Sequence, residues 1–334
     1  MKLNTSVQSC PESFQQSPGQ IPVREVAGRF YSELTLGTAQ LGMQYGITNR
    51  TGKPARSVAV SLVRRAIGYG VMHLDTARGY GESEAVLGEA LQGLQSSVEV
   101  ITKLDPLVAL PADADAATAR DAVNQSVARS RSELRTDFLP VLLLHRWQHR
   151  TLWNGAVWHR LLELQSEGII GRLGVSIYEP EEAMEALDDP KIQYLQLPMN
   201  LLDWRWRAAK IDQVISRRTD LVVHARSAFL QGVLLQPSEI WPTAEYDAKN
   251  CVRKLQEISS RFGRAGLADL CLAYLRGLPW ITSIVTGCET IEQLDHTVSL
   301  FRFPALSKEQ CNELQHVLPE APVALLNPSQ WKIT

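Results

Sequence analysis

Eight short, nearly continuous apolar segments recur along this chain, and most of them are followed by a segment with helical periodicity. The eight segments are 34–39, 71–75, 98–103, 138–145, 172–177, 192–198, 220–225 and 281–286. A short apolar run without polar alternation is typical of a strand that is covered on both faces, as strands in parallel sheets are. The alternation of such strands with helices favours an α/β fold with a parallel sheet.

Helical spacing of apolar residues appears between these strands. The segment 57–69 follows the i, i+3, i+4 pattern of an amphipathic helix, and a sparser version of the pattern connects Leu87, Leu91 and Leu94. Further helices are predicted at 114–134, 156–167, 180–187, 206–217, 250–263, 267–277, 290–301 and 307–318. The last of these follows Ser307, a residue type that favours the N-cap position.

Eight strands and their helices predict a (β/α)8 TIM barrel, which typically needs about 250 residues. A doubly wound open sheet is the alternative, but it usually carries a Gly-x-Gly-x-x-Gly turn after its first strand. The corresponding stretch here, Gly37-Thr-Ala-Gln-Leu-Gly42, has a different spacing. The prediction is therefore one barrel domain over 31–320.

The two ends of the chain lack this regularity. Residues 1–30 are rich in Ser, Gln, Pro and Glu without a period, which predicts a poorly ordered tail with a short strand near 29–31. Residues 321–334 are predicted to form a C-terminal tail.

Composition excludes several classes of function. The formal net charge is −2 without a basic stripe, so a nucleic-acid partner is not expected. No apolar run approaches the roughly 18 residues of a membrane span, and the first thirty residues lack a secretory signal. The chain has five cysteines without a Cys-x-x-Cys pair, which favours free thiols in a reducing compartment. A cytoplasmic location is therefore expected.

Four chemically coherent residues lie at or after the ends of three consecutive predicted strands. Asp75, Lys103 and His145 end the second, third and fourth strands, and Tyr80 lies in the loop after the second. Strand ends of a barrel meet at one rim. A lysine ammonium near a phenol favours the phenolate, a carboxylate holds the lysine, and a histidine can donate to a carbonyl oxygen. The set is suited to moving a proton to or from an oxygen while a hydride is transferred.

Each of the four residues also has a structural explanation when it is taken by itself. Asp75 is at a position typical of a helix cap, and Lys103 at one typical of a surface charge. Tyr80 between glycines is compatible with a packed loop aromatic, and His145 with a structural histidine. Their occurrence together on consecutive strands favours the catalytic interpretation.

From Leu34 to about Thr297 the chain resembles the aldo-keto reductases, in particular bacterial ones met in sugar and surface-polysaccharide pathways. The matching motifs are 37–42 (GTAQLG), 75–84 (DTARGYGESE), 101–103 (ITK), 142–145 (LLLH), 174–176 (GVS), 193–203 (QYLQLPMNLLD), 230–232 (LQG) and 286–294 (TGCETIEQL).

The resemblance implies a catalytic tetrad and a nicotinamide cofactor. The tetrad is Asp75, Tyr80, Lys103 and His145, with Tyr80 as general acid in the reduction of an aldehyde or ketone, possibly a sugar, to an alcohol. The cofactor-binding residues that it implies are Gly37, Thr38, Ser176, Gln196, Arg226, Ser227, Gly232, Gly287, Glu289 and Gln293. Ser176 and Gln196 match the residues that hold the nicotinamide carboxamide.

Two departures from the family pattern concern the cofactor. Many relatives stack a tyrosine on the nicotinamide after strand seven, where this chain has Arg226, whose guanidinium can stack or contact the pyrophosphate. The 2′-phosphate of NADP usually meets Lys or Arg at the start of the last helix. Residues 287–297 contain neither, and Glu289 can accept from a ribose hydroxyl. NADP(H) is expected from the resemblance, and NAD(H) is the alternative from the local charge.

Aromatic residues near the predicted rim suggest a wall for the substrate. They are Tyr45, Trp147, Trp204 and Trp241, the last in the long loop 233–249. Such walls suit sugars, aromatic aldehydes and hydrophobic ketones alike, so they do not identify the small-molecule substrate.

Two other functions are compatible with parts of the sequence. A nicotinamide-binding regulatory subunit of the same fold, with little or no turnover, would need a partner protein. A metal-dependent lyase or hydrolase would need several His, Asp or Glu residues at strand ends, and the strand ends here offer few. No metal is expected, and the sequence does not indicate an oligomeric state.

Overall fold

The computed structural model describes residues 20–47, 49, 52–94, 98–242 and 246–331. The strands within them are β1 Val23–Val26, β2 Arg29–Ser32, β3 Leu34–Gly37, β4 His73–Asp75, β5 Glu99–Lys103, β6 Leu139–Leu144, β7 Ile170–Ser176, β8 Tyr194–Pro198, β9 Val222–Arg226 and β10 Ser283–Gly287. Strands β3 to β10 form a closed parallel barrel in the order β10-β3-β4-β5-β6-β7-β8-β9. The TIM barrel predicted from the sequence is confirmed, and each predicted strand overlaps one of the eight barrel strands.

Helices surround the barrel and cover its outer face. They are α1 Ala39–Gly42, α2 Arg56–Gly68, α3 Ser83–Ala90, α4 Ala116–Leu134, α5 Ala156–Ser166, α6 Pro180–Leu187, α7 Arg205–Ala208, α8 Ile211–Ile215, α9 Ala248–Arg261, α10 Leu267–Arg276, α11 Ile291–Leu300, α12 Lys308–Val317 and α13 Val323–Leu326. Ser307 caps α12 in a capping box with Gln310, because each side chain accepts from the other residue's backbone N–H. None of these helices has the length and apolar character that crossing a membrane requires.

The helix predicted at 206–217 is divided in the structure. It forms α7 and α8, and between them Lys210 has a φ of 53°, in the left-handed region. A non-glycine residue in this region interrupts the regular α-helical hydrogen-bond pattern. Helical periodicity continues across this break because both short helices bury apolar residues, among them Trp206 and Ile211.

The chain ends differ from the predicted tails where the structure describes them. Strands β1 and β2 form an antiparallel hairpin before the barrel, whereas residues 1–19 lie outside the described part. Tyr31 of this hairpin packs inside the barrel against a group of buried side chains that includes Ile101, Val141 and Tyr194. At the other end, Leu325 and Trp331 are buried in the main core, and residues 332–334 are not described.

The barrel interior also holds polar side chains. His73 stacks on Tyr31 with ring centroids 4.9 Å apart, and its Nε2 lies 3.8 Å from a Glu99 oxygen. Glu99 pairs with Arg172. Burial lowers the pKa of His73 to about 4, although the Glu99 carboxylate acts in the opposite direction. His73 is therefore neutral in the folded protein at neutral pH.

This depressed pKa predicts acid-sensitive stability. Below pH 6.5 the unfolded chain protonates His73 while the folded protein does not, so the free energy of unfolding falls as the pH drops from 6.5 towards about 4. Between pH 7 and pH 5 we expect a loss of about 2 kcal/mol from this residue. Urea unfolding should show a shallower pH dependence for His73→Gln than for the exposed-site control His316→Gln. Equal slopes for the two variants would contradict the assignment.

Candidate active site

The carboxyl ends of the barrel strands bring the predicted site residues to one rim. Asp75 ends β4 opposite Gly37 of β3, and Ser176 ends β7 opposite Gln196 of β8. Lys103 is the last residue of β5. Because these strands are parallel and adjacent, their final side chains are placed on the same edge of the barrel.

A buried ion pair lies at the base of this rim. Lys103 Nζ donates to Asp75 Oδ1 at 2.7 Å, to Oδ2 at 2.9 Å and to the Thr76 carbonyl at 3.0 Å. Gln196 Nε2 donates to Asp75 Oδ1 at 2.7 Å. The Lys103 side chain is 1% exposed and that of Asp75 5%. A buried pair requires this density of hydrogen bonds to offset the lost hydration of both charges.

Tyr80 and His145 lie next to the ion pair. The Lys103 ammonium is 4.9 Å from the centroid of the Tyr80 ring. The His145 ring meets the Tyr80 ring edge to face, with centroids 6.1 Å apart. His145 Nδ1 is buried and has no hydrogen-bond partner among the described residues. The structure thus brings together all four residues of the predicted tetrad.

The electrostatics of this group differ in one respect from the sequence-based expectation. Burial, followed by the Asp75 carboxylate, raises the pKa of Tyr80 well above its ordinary value. A lowered value was expected from the neighbouring lysine, but the Lys103 ammonium is directed at Asp75. Burial also lowers the pKa of Lys103, and it lowers that of His145 to about 3. Tyr80 is therefore a protonated phenol, and His145 a neutral imidazole, at neutral pH.

Hydroxyl groups hold the loop that carries Tyr80. Ser83 Oγ lies 2.6 Å from Thr38 Oγ1 and 2.8 Å from Thr76 Oγ1. Helix α1 approaches the loop so closely that a Cβ at Gly42 would lie 1.9 Å from the Tyr80 carbonyl oxygen. Glycine at position 42 is required by this contact, since any larger residue would displace the loop.

A cleft of 330 Å³ opens above Tyr80, between β3, the loop after β9 and α11. Its lining includes eleven of the residues predicted from the sequence: Gly37, Thr38, Tyr45, Asp75, Tyr80, Arg226, Ser227, Gly232, Gly287, Glu289 and Gln293. Residues that the sequence did not single out also contribute, among them Gln40, Phe229 and His296. Gln40 lies in the motif 37–42, although it was given no role, whereas Phe229 and His296 lie outside the quoted motifs.

The three tryptophans predicted for the substrate wall do not line this cleft. Each indole N–H is used in packing: Trp147 donates to Glu185, Trp204 to the Ala321 carbonyl and Trp241 to the Gln236 carbonyl. Of the predicted wall, only Tyr45 lies in the lining. Aromatic residues near strand ends can equally pack against neighbouring elements, and all three tryptophans have that role here.

Two residues at this rim, Gln196 and Ser176, suit a nicotinamide carboxamide, but neither is among the residues that line the cleft. Gln196 Oε1 is buried and has no hydrogen-bond partner in the described structure, so it can accept from a carboxamide N–H. Ser176, adjacent to Gln196 across β7 and β8, supplies a hydroxyl at the same edge.

Arg226 and Tyr178 form a pair that the sequence did not indicate. The Arg226 guanidinium lies 4.4 Å from the centroid of the Tyr178 ring, and its Nη2 donates to the Ile177 carbonyl at 3.0 Å. Tyr178 follows Ser176 by two residues and was assigned to no role. The pairing depends on β9 lying two strands from β7, which the spacing in the chain does not reveal.

The described residues contain no group of three or more His, Cys, Asp or Glu side chains arranged as a metal site.

Comparison with known proteins identifies several similar chains. The model of the aldo/keto reductase family matches residues 33–319. An uncharacterized oxidoreductase of Bacillus subtilis is 25% identical over 305 residues, covering 85% of this chain and 92% of the relative. An NADH-specific methylglyoxal reductase of Escherichia coli is 24% identical over 80% of this chain and 89% of its own. The holo form of an aldo-keto reductase from Bacillus halodurans has a similar fold, with a TM-score of 0.73 at 21% identity, covering 90% of this chain and 98% of the other.

Proposed function

The chain belongs to the aldo/keto reductase family, and we propose that it reduces an aldehyde or ketone to an alcohol with Tyr80 as the proton donor. The observation that carries this proposal is the arrangement around Tyr80. A protonated phenol in the lining of a cleft has a buried ammonium 4.9 Å from its ring centroid, and that ammonium is itself held by a carboxylate.

Each residue has one task in this proposal. A bound reduced nicotinamide supplies the hydride that the carbonyl carbon accepts. Tyr80 gives its proton to the carbonyl oxygen, and the Lys103 ammonium stabilises the resulting phenolate until water returns a proton. The neutral imidazole of His145 donates a hydrogen bond to the same oxygen as negative charge develops on it. Asp75 keeps Lys103 charged and in place.

The cofactor is proposed to lie along the cleft, with its carboxamide at Ser176 and Gln196. From the resemblance to the family, a 2′-phosphate would be expected at the start of α11. Among the described lining residues, Arg226 is the single Lys or Arg, whereas Glu289 lies at the start of α11. A carboxylate opposes a phosphate and can accept from a free ribose hydroxyl. We therefore favour NADH over the NADPH that the family resemblance suggests, and the NADH-specific Escherichia coli relative is compatible with this choice.

Titration of the protein with NADH and with NADPH, followed by tryptophan quenching, tests this preference. We expect the Kd for NADH to be the lower one. Glu289→Arg should shift the ratio of the two Kd values towards NADPH by about tenfold or more, because it replaces a repulsive charge with an attractive one.

Glu292→Arg is the matched control for this titration. It makes the same charge change at an exposed position of α11, outside the cleft lining, and should alter the ratio much less. Tighter binding of NADPH by the unmodified protein would overturn the NADH preference. Tight cofactor binding without turnover of any carbonyl compound would favour the regulatory-subunit alternative.

For the substrate we propose a small or sugar-derived carbonyl compound. The Escherichia coli relative is a reductase of methylglyoxal, a small dicarbonyl. A cleft of 330 Å³ that also receives a nicotinamide leaves room for a substrate of modest size.

A further inference from the structure

Arg226 is a cation held in a fixed position in the cleft. Its side chain is partly buried, at the end of β9. The Nη2–Ile177 hydrogen bond and the stacking on Tyr178 orient the guanidinium plane. A planar guanidinium fixed in this way retains other N–H groups for a ligand.

This cation has no carboxylate partner within ion-pair distance among the described residues. Other partly or fully buried cations of the barrel do have one: Lys103 pairs with Asp75, Arg172 with Glu99 and Arg205 with Asp203. The neighbours of Arg226 are instead a carbonyl oxygen, an aromatic ring and, more weakly, the Ser227 hydroxyl at 3.4 Å. A partly desolvated charge without a counter-charge is prepared to bind an anion.

The position of this charge identifies the end of the cleft where the anion would bind. Burial raises the pKa values of Tyr80 and Tyr45, and the Arg226 guanidinium lowers them. For His145, burial lowers the pKa and the guanidinium lowers it further. Arg226 thus acts on the group that surrounds the proposed reaction centre. Glu289, just before α11, and Gln293, on α11, would meet the far end of the cofactor.

We infer that Arg226 binds a carboxylate or similar anionic group on the carbonyl substrate, so that the preferred substrates are oxo acids or acidic sugar derivatives. This inference rests on the proposed carbonyl reduction and adds a substrate class to it. The same chemistry would also suit the diphosphate of the cofactor, which is the competing source of an anion. Because its Nη2 hydrogen bond holds the guanidinium at Ile177, next to Ser176 at the proposed nicotinamide end of the cleft, the substrate is the favoured source.

Calorimetric titration with benzoate and with benzamide tests the anion site directly. The two compounds have nearly the same shape and differ in charge. They are titrated into the protein with and without a saturating concentration of the preferred nicotinamide cofactor. We expect benzoate to bind at least about tenfold more tightly than benzamide, and Arg226→Gln to reduce this preference to less than about threefold.

Two further variants distinguish the effect of an oriented guanidinium from the effect of positive charge alone. Arg226→Lys keeps the charge but loses the planar donors, so an intermediate preference is expected. Arg146→Gln removes an exposed positive charge next to His145 that is outside the cleft lining, and it should retain the preference for benzoate. Equal affinities of the unmodified protein for both compounds, or a preference that survives in Arg226→Gln, would overturn the inference.

The cofactor Kd of Arg226→Gln tests whether the anion that Arg226 binds is instead the diphosphate of the cofactor. If Arg226→Gln weakens cofactor binding tenfold or more and the benzoate preference remains, the anion is the cofactor diphosphate and the inference fails.

Turnover of benzaldehyde and 3-carboxybenzaldehyde separates this inference from the proposed function. Reduction of both at equal kcat/KM would support carbonyl reduction and oppose the substrate class. Arg226-dependent benzoate binding without reduction of either aldehyde would support the anion site and oppose the proposed reaction.

Discussion

Tyr80→Phe is expected to lower kcat for any carbonyl substrate by about 10²- to 10⁴-fold, the usual contribution of a general acid. The substitution removes the phenolic proton of a ring whose centroid lies 4.9 Å from the Lys103 ammonium, and it changes little of the ring's volume. The ring would continue to pack against His145. The Kd for the nicotinamide cofactor should therefore change by no more than a few fold.

Steady-state kinetics together with a cofactor titration check this expectation. Tyr69→Phe is a suitable control, because its hydroxyl donates to Asp295 and neither residue is in the cleft lining. It should leave both kcat and the cofactor Kd close to those of the unmodified protein. Near-normal turnover by Tyr80→Phe would remove Tyr80 from the mechanism.

Lys103→Met should abolish measurable turnover and also reduce the free energy of unfolding by about 3–5 kcal/mol. Loss of the ammonium leaves the Asp75 carboxylate, 5% exposed, with Gln196 as its remaining side-chain donor. An uncompensated buried charge is among the largest single sources of destabilisation. Urea unfolding at pH 7 measures the loss.

The double variant Lys103→Met with Asp75→Asn tests the cause of this loss. Since neither charge is then present, the combined destabilisation should be smaller than the sum of the single effects by about 1–3 kcal/mol. Activity should remain absent, because the Lys103 ammonium beside the Tyr80 ring would be missing. Strictly additive losses would show that the two side chains do not stabilise each other.

The barrel and the group of Asp75, Tyr80, Lys103 and His145 could be predicted from the sequence. Each barrel strand is a short apolar run, and strand type is a local property of such runs in an α/β protein. Asp75, Lys103 and His145 lie at or next to the ends of successive strands, and closure of a parallel barrel places such ends on one rim. The periodicity and the order of the strands were sufficient for this part.

The surroundings of the site could not be predicted from the sequence in the same way. The stacking of Arg226 on Tyr178 joins residues at the ends of β9 and β7, and no local pattern specifies it. Trp147, Trp204 and Trp241 are near the predicted rim in the sequence, yet their indole N–H groups bond to partners outside the cleft. Rotamer and packing choices of this kind depend on neighbours that the fold brings together.

The protonation state of Tyr80 was also decided by the tertiary structure. The residue types predicted a lysine that lowers the pKa of the phenol, but the outcome depends on which group is closest to which and on how much water is excluded. In the folded protein Lys103 is directed at Asp75, and burial keeps the phenol protonated. The sequence by itself thus determined the barrel, its strand order and the chemical types on its rim. Only the tertiary structure decided their orientation and their burial, because distance and desolvation are properties of the packed chain. It also left Arg226 without a carboxylate partner among the described residues.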